Sequence, residues 1–236
     1  MIVVADAKAL EWFAGSWLAQ DKVAIQEIWN NVDQHSLNQE AFKLPSRLLA
    51  KKFVFRLIYG GTEYSYAVDP DFADVSTSQQ FWKKVIERFY TKYQGWASWH
   101  TRLVQTVSTT GRIVMPTGRC YAYKRTPQGD WPRTTILNYP VQGLGADIMA
   151  IIRVAFFKRF VNRKLEGKLI STVHDNIIVD CPSSSVDEVV KLFHETFDVA
   201  PKLFKDWFGH EFNLPLKCEV KVGPNMSDMR EVEYAN

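Results

Sequence analysis

The chain has 236 residues, and 29 Lys and Arg against 26 Asp and Glu leave a net charge of +3. Hydrophobic residues make up 46% and charged residues 23%, a balance that excludes disorder as the main state. The charge is too mild to identify a nucleic-acid partner, and the longest apolar stretch, Met149 to Phe157, is broken by Arg153 and far short of the ~20 residues of a spanning helix.

Ile2 to Ala5 reads as a short buried strand, followed by Asp6 and a helix over Ala7 to Gln20 with apolar positions at Leu10, Phe13, Ala14, Trp17 and Leu18. Further helices are predicted over Val23 to Trp29, His35 to Phe42 and, opened by Pro45, Ser46 to Tyr59, where Gly60 and Gly61 stop it. Thr62 to Ser78 reads as a loop. A long helix follows over Gln79 to Thr106, with Gly95 as a break, and then strands and turns over Val107 to Arg125. Pro140 opens a helix to Lys164. Lys168 to Cys181 is two apolar runs joined by His174, Asp175 and Asn176, the pattern of a hairpin with a polar tip. A helix over Val186 to Phe208 and a strand over Leu214 to Val222 end the chain. Helices and strands come in segregated runs, which predicts an α+β fold with an antiparallel sheet.

Three cysteines, Cys120, Cys181 and Cys218, are odd in number and widely spaced, so neither a disulfide framework nor a metal-ligand pattern is present. A reducing cytoplasm, the host's if the protein is viral, is the expected setting. Met1 to Asp6 has no basic flank and meets an acid at once, unlike a signal peptide.

Lys43, Arg47, Lys51, Lys52 and Arg56 fall in a stretch without acids between Glu40 and Glu63. Arg47, Lys51, Phe55 and Tyr59 recur every four residues, about 400° of helix, and form one stripe of ~18 Å, cationic at its start and aromatic at its end. That order suits a nucleotide lying along it, phosphates on the cations and sugar and base on the rings. On spacing alone an amphipathic helix that buries its rings and solvates its charges is the more common explanation. Asp6 by itself reads as a helix N-cap and Asp175 as a turn residue. Together they offer two carboxylates at the ends of apolar strands, the hard oxygen ligands that magnesium takes when substrate phosphates supply the rest. The basic residues Arg153, Lys158, Arg159, Arg163, Lys164 and Lys168 read as a solvated helix face or as a phosphate track.

The order of these pieces resembles the polymerase core of family A DNA polymerases, the group of bacterial DNA polymerase I and many phage replicases. Asp6 with Glu11 five residues later is similar to the family's first motif. Arg47, Lys51, Phe55, Tyr59 and Gly60 are similar to its nucleotide-binding helix, and Val173-His174-Asp175 to its second catalytic hairpin. Asp33 and His35 resemble the fingers segment that meets the triphosphate. Asn138 to Gly143 resembles the run that contacts template and primer, and Gly223-Pro224-Asn225 the C-terminal strand. Asn176 stands where the family usually has Glu, Arg56 where it has Gly, and Trp12-Phe13 where Leu-Arg is more usual.

The resemblance implies palm over 1–20 and 136–236, fingers over 21–135, and a DNA-directed DNA polymerase, a nucleotidyltransferase of DNA replication. It implies that Asp6, Asp175 and the backbone carbonyl of Ala7 hold two Mg2+ ions. His35, Arg47 and Lys51 would hold the dNTP triphosphate, with Lys51 a proton donor. Phe55 and Glu11 would crowd the sugar and reject a 2′-hydroxyl, and Tyr59 would stack near the templating position. Asn138, Gln142 and His174 would line the minor groove of the primer–template. A family thumb and exonuclease lie upstream of the first motif, so a second polypeptide carrying them, as in a split polymerase, is the expected partner. No membrane partner is expected. A single-subunit RNA polymerase shares the palm, but Glu11 and Phe55 weigh against it. A non-catalytic DNA-binding or assembly subunit is disfavoured by retention of Asp6, Asp175, Arg47 and Lys51.

Overall fold

The computed structural model describes residues 1–232, and the last four positions of the expected 136–236 segment lie outside them. In chain order, β1 (Ile2–Ala7) leads to the helices α1 (Leu10–Ala19), α2 (Lys22–Trp29), α3 (Gln34–Phe42) and α4 (Arg47–Ile58). A short helix α5 (Glu63–Ala67) and a 3-10 turn (Pro70–Phe72) precede α6 (Gln79–Lys92) and α7 (Gln94–Thr110). The hairpin of β2 (Arg112–Val114) and β3 (Cys120–Ala122) is followed by α8 (Arg133–Asn162), then by β4 (Lys168–Val173) and β5 (Asn176–Asp180). Last come α9 (Val186–Phe208), β6 (Cys218–Asn225) and β7 (Asp228–Val232). Every described strand pairing is antiparallel, so the class is α+β as the sequence leads one to expect.

Two compact units result: Met1–Trp12 with Gly143–Asn236, and Phe13–Gln142. The divisions between these units fall inside α1 and α8.

In the first unit the sheet order is β4-β5-β1-β6-β7. One face is apolar: Val3 pairs with Val179 and Val222, and Ala5 with Ile177 and Val220, all buried. Helix α9 covers it with Val189, Phe193 and Phe197, and Phe156 of α8 stacks on Phe193 at 4.0 Å between ring centres. Alternation along β1 sends Asp6 to the opposite face. One expectation fails here: Asp6 belongs to the strand and caps no helix, since α1 starts only at Leu10. β1 is the central strand of the sheet, flanked by β5 and β6 from later parts of the chain.

The second unit is mainly helical around an aromatic core. Phe53 of α4, Tyr66 of α5, Phe72 and Trp82 of α6 are fully buried, and Trp82 stacks on Tyr66 at 5.1 Å. Buried Asp21 caps α2 through the Ala24 N–H at 2.9 Å and also accepts the Gly95 and Trp96 N–H groups at 2.7 and 3.2 Å. A Cβ at Gly95 would lie 2.6 Å from the Asp21 backbone, so this glycine serves a close approach, and the break between α6 and α7 falls at Tyr93 instead.

Other boundaries move as well. The expected loop over 62–78 contains α5 and the 3-10 turn, short elements capped by Thr62 and Asp69. Helix α7 runs on to Thr110, with Gly111 in the left-handed region at its end. Pro140 lies inside α8 rather than at its start. The C-terminal strand is displaced to Cys218–Asn225, and β7, too polar to stand out, pairs beside it. By length and composition α8 is apolar enough to cross a membrane, with mean hydropathy 1.4 in its best window, contrary to the sequence reading. That window is 61% buried within the protein, as a core helix requires.

Candidate active site

In the first unit, the register sets Asp6 opposite Asn176 on one side and Glu219 on the other. Directly paired residues of an antiparallel sheet share a face, so Asn176, Asp6 and Glu219 form a row across three strands. The Ala7 N–H donates to the carbonyl of Asp175 at 2.9 Å, which draws the β4–β5 turn against the end of β1. Asp6, Ala7 and Asp175 are thereby brought together. His174 takes the left-handed conformation at φ 53°, tolerated by His more than by most residues, and is exposed. Asn176 turns its side-chain oxygen back to the Val173 N–H at 3.3 Å, fastening the same turn.

The Asp6 carboxyl is raised above the ordinary carboxylate range, first by burial, then by Asp175 and Glu219, with Lys221 opposing. Negative charge gathered beside a half-buried carboxyl is what a cation relieves, and the donors are hard oxygens, which fits magnesium. Among the described residues no group of three His, Cys, Asp or Glu makes a self-contained metal site. A cation here would complete its shell with substrate oxygens or water, the usual habit of magnesium. Glu219 was not singled out from sequence. Only the strand register reveals it opposite Asp6, where it also pairs with Lys8 at 3.6 Å.

His174 lines a cavity of about 160 Å3 with Met149, Arg153, Thr172 and Asn176. Arg153 therefore stands beside the tip of the hairpin, whereas Arg163 of the same basic cluster, just past the end of α8, pairs with Glu188 of α9 at 3.9 Å and with Glu195. Glu11 is half-buried on the first turn of α1.

In the second unit, Ser46 caps α4 through the Leu49 N–H at 3.2 Å, and the helix buries Ala50, Phe53, Val54, Leu57 and Ile58. The four-residue stripe is left on its outer side: Arg47 and Lys51 are exposed, Phe55 and Tyr59 half-buried. The helix is thus amphipathic, but the rings of the stripe stay partly accessible instead of being buried. Asp33 caps α3 and holds Arg47 in a two-point pair, 2.6 Å to Nε and 3.1 Å to Nη2. Arg47 and the Ser36 hydroxyl hold the Asp33 carboxyl well below the ordinary carboxylate range. Lys51 has no ion pair among the described residues and lies 5.9 Å over the Phe55 ring. His35 packs against Phe55 at 6.1 Å, and its buried Nδ1 has no partner. Burial, and then Arg47 and Lys51, push His35 down to about 4, so it is neutral at pH 7. His35, Arg47, Lys51 and Phe55 thus converge.

Tyr59 ends α4, and its hydroxyl accepts from Nε2 of Gln142 at 2.6 Å. Asn138 lies one turn before Gln142 on α8, half-buried. Gly60 follows at φ 90°, where a Cβ would stand 3.2 Å from the Thr134 backbone, so glycine is needed for both conformation and closeness.

The model of DNA polymerase family A matches residues 1–228, and the chain belongs to that family. DNA polymerase I of Aquifex aeolicus is 23% identical over 85% of this chain and 36% of its own length. That of Geobacillus stearothermophilus is 22% identical over 98% of this chain and 26% of its own length. The POL domain of Pol1 from M. smegmatis, solved in complex with DNA primer-template and dNTP, superimposes with a TM-score of 0.79 at 20% identity. That match covers 94% of this chain and 39% of the other. The chain therefore spans about a quarter to two fifths of these relatives.

Proposed function

We propose that this chain catalyses template-directed DNA synthesis, adding dNTPs to a primer 3′-hydroxyl. The observation that carries the reading is the junction of β1 with the β4–β5 turn, where the Ala7 N–H meets the Asp175 carbonyl and sets two carboxylates at one strand end. Asp6, Asp175 and the Ala7 carbonyl would hold two Mg2+ ions, which supply a lowered pKa at the primer hydroxyl and neutralise charge on the triphosphate and pyrophosphate. Arg47 and Lys51 bind the triphosphate, Arg47 by exchanging the Asp33 carboxylate for phosphate oxygens. His35, neutral, donates or accepts a hydrogen bond there through its unpartnered ring nitrogen. Lys51 gives a proton to the departing pyrophosphate. Phe55 and Glu11 exclude a 2′-hydroxyl, and Tyr59, steadied by Gln142, forms the platform near the templating base. Asn138, Gln142, His174 and the neighbouring Arg153 grip the primer–template. The work of these residues is positioning and charge neutralisation.

We also propose that a second polypeptide helps to hold the duplex, since +3 over 236 residues offers little electrostatic grip on it. The RNA polymerase reading has less support because, on the family resemblance, Glu11 and Phe55 would both narrow the sugar site. Primer extension with dNTPs and with rNTPs, by the chain alone and with the product of a neighbouring reading frame, tests all of this. Extension restricted to dNTPs is expected, strengthened by the partner. Equal use of rNTPs would refute the sugar gate, and processive synthesis by a monomeric chain would refute the need for a partner.

A further inference from the structure

Arg56 follows Phe55 on α4, where the family resemblance leads one to expect glycine. Its guanidinium pairs with Asp69, whose side chain is only 11% exposed. The same guanidinium donates to the Ser65 carbonyl at 2.8 Å and lies 5.8 Å from the Tyr66 ring centre and 5.9 Å from that of Phe72. One turn earlier, Lys52 pairs with Asp71 at 2.8 Å. The Tyr66 hydroxyl returns a bond to the Phe53 carbonyl of α4 at 2.8 Å. Lys52 and Arg56, four residues apart, thus form one face of α4 that clasps the segment 65–72, beside the face that carries Arg47, Lys51, Phe55 and Tyr59. A glycine at 56 would make none of these contacts and would loosen the last turn of the helix.

We infer that Arg56 is a positioning residue for nucleotide binding: through Asp69 and Ser65 it fixes α4 on the segment 65–72 and sets the attitude of Phe55 and Tyr59 before a nucleotide arrives. The inference rests on the reading of α4 as the nucleotide helix. Preorganisation of this kind raises affinity by removing the ordering cost from the binding step. Losing a charge-assisted, partly buried clasp should weaken binding by about tenfold.

The test uses a fluorescent dATP analogue, Mg2+ and a primer–template with a dideoxy-terminated primer, so that binding is read without turnover. Arg56→Gly and Asp69→Asn should each raise the nucleotide Kd about tenfold while primer–template affinity stays constant. Arg56→Lys should recover part of the loss, since an ammonium still reaches Asp69 but cannot serve Ser65 and the rings together. Amide exchange should quicken in α4 and the segment 62–72 of the glycine variant. Asn at 69 keeps an acceptor for the Asp71 N–H, bonded at 2.8 Å, so the local turn survives. Unchanged nucleotide Kd in both variants, with only the melting temperature lowered, would overturn the inference. So would weak binding in Arg56→Gly with normal binding in Asp69→Asn, which would place Arg56 on the nucleotide itself. If the wild type binds no nucleotide, the reading of α4 fails first and the inference with it.

Discussion

Replacing Asp33 by Asn should tighten nucleotide binding while costing little stability. The Asp33 carboxylate does two things at once: it caps α3 through the His35 and Ser36 N–H groups at 3.1 and 3.4 Å, and it occupies the Arg47 guanidinium. Asn keeps a cap acceptor and loses the charge. The ion pair is exposed, at 55% and 45% for its two side chains, so its removal should destabilise by only about 0.5–1 kcal/mol. If Arg47 binds the triphosphate as proposed, the triphosphate displaces that carboxylate, and the same 0.5–1 kcal/mol should return as affinity, roughly two- to fivefold. Asp33→Ala should show the same gain in binding but a further loss of about 1 kcal/mol from the missing cap. Nucleotide titration at low and high salt, beside urea unfolding, measures both quantities, and the gain should shrink as salt screens the competing pair. Weaker nucleotide binding by Asp33→Asn would refute the reasoning, because it would mean that Asp33 holds Arg47 ready rather than masking it.

Stability should fall as pH drops below 6.5. Burial, and secondarily Arg133, push His100 down to about 3, and His35 is held near 4, so the unfolded chain binds more protons than the folded one between these values and 6.5. For His100 alone the loss by pH 5 should be about 2 kcal/mol, and urea midpoints of wild type and His100→Gln at pH 7.5 and 5 will show whether the slope depends on it. Phe55→Tyr should raise acceptance of dideoxynucleotides in a chain-termination assay, and equal discrimination would mean that residue 55 does not face the sugar. Glu11→Ala should relax rejection of rNTPs, read as the ratio of dNTP to rNTP incorporation, with no change counting against a gate at Glu11.

Much of the fold was legible because its signals are local. The stripe of α4 declares itself at a spacing of four, Ser46 marks its start, and α9 matches its expected bounds because its apolar periodicity is strong. The hairpin around His174 and Asp175 follows from two apolar runs and a polar tip. What stayed hidden depends on residues far apart in sequence. Glu219 meets Asp6 only through sheet register, β1 becomes central only when β5 and β6 close on it, and Asp21 serves α7 across more than seventy positions. Pro140 misled because its ring suits a helix start, whereas here the helix continues through it. The cations of α4 could be counted from sequence, but which of them clasp Asp69 and Asp71 could not.

Single-nucleotide incorporation by rapid quench, comparing wild type with Asp6→Asn and Asp175→Asn, tests the catalytic role of the two aspartates most directly. Each variant should retain its circular dichroism spectrum and its affinity for primer–template, since neither side chain belongs to the buried core. The expected result is extension by the wild type, with a second polypeptide present if it is required, and loss of ~10³-fold or more in both variants. Near-normal incorporation by either folded variant would contradict the assignment of these two carboxylates as the catalytic centre.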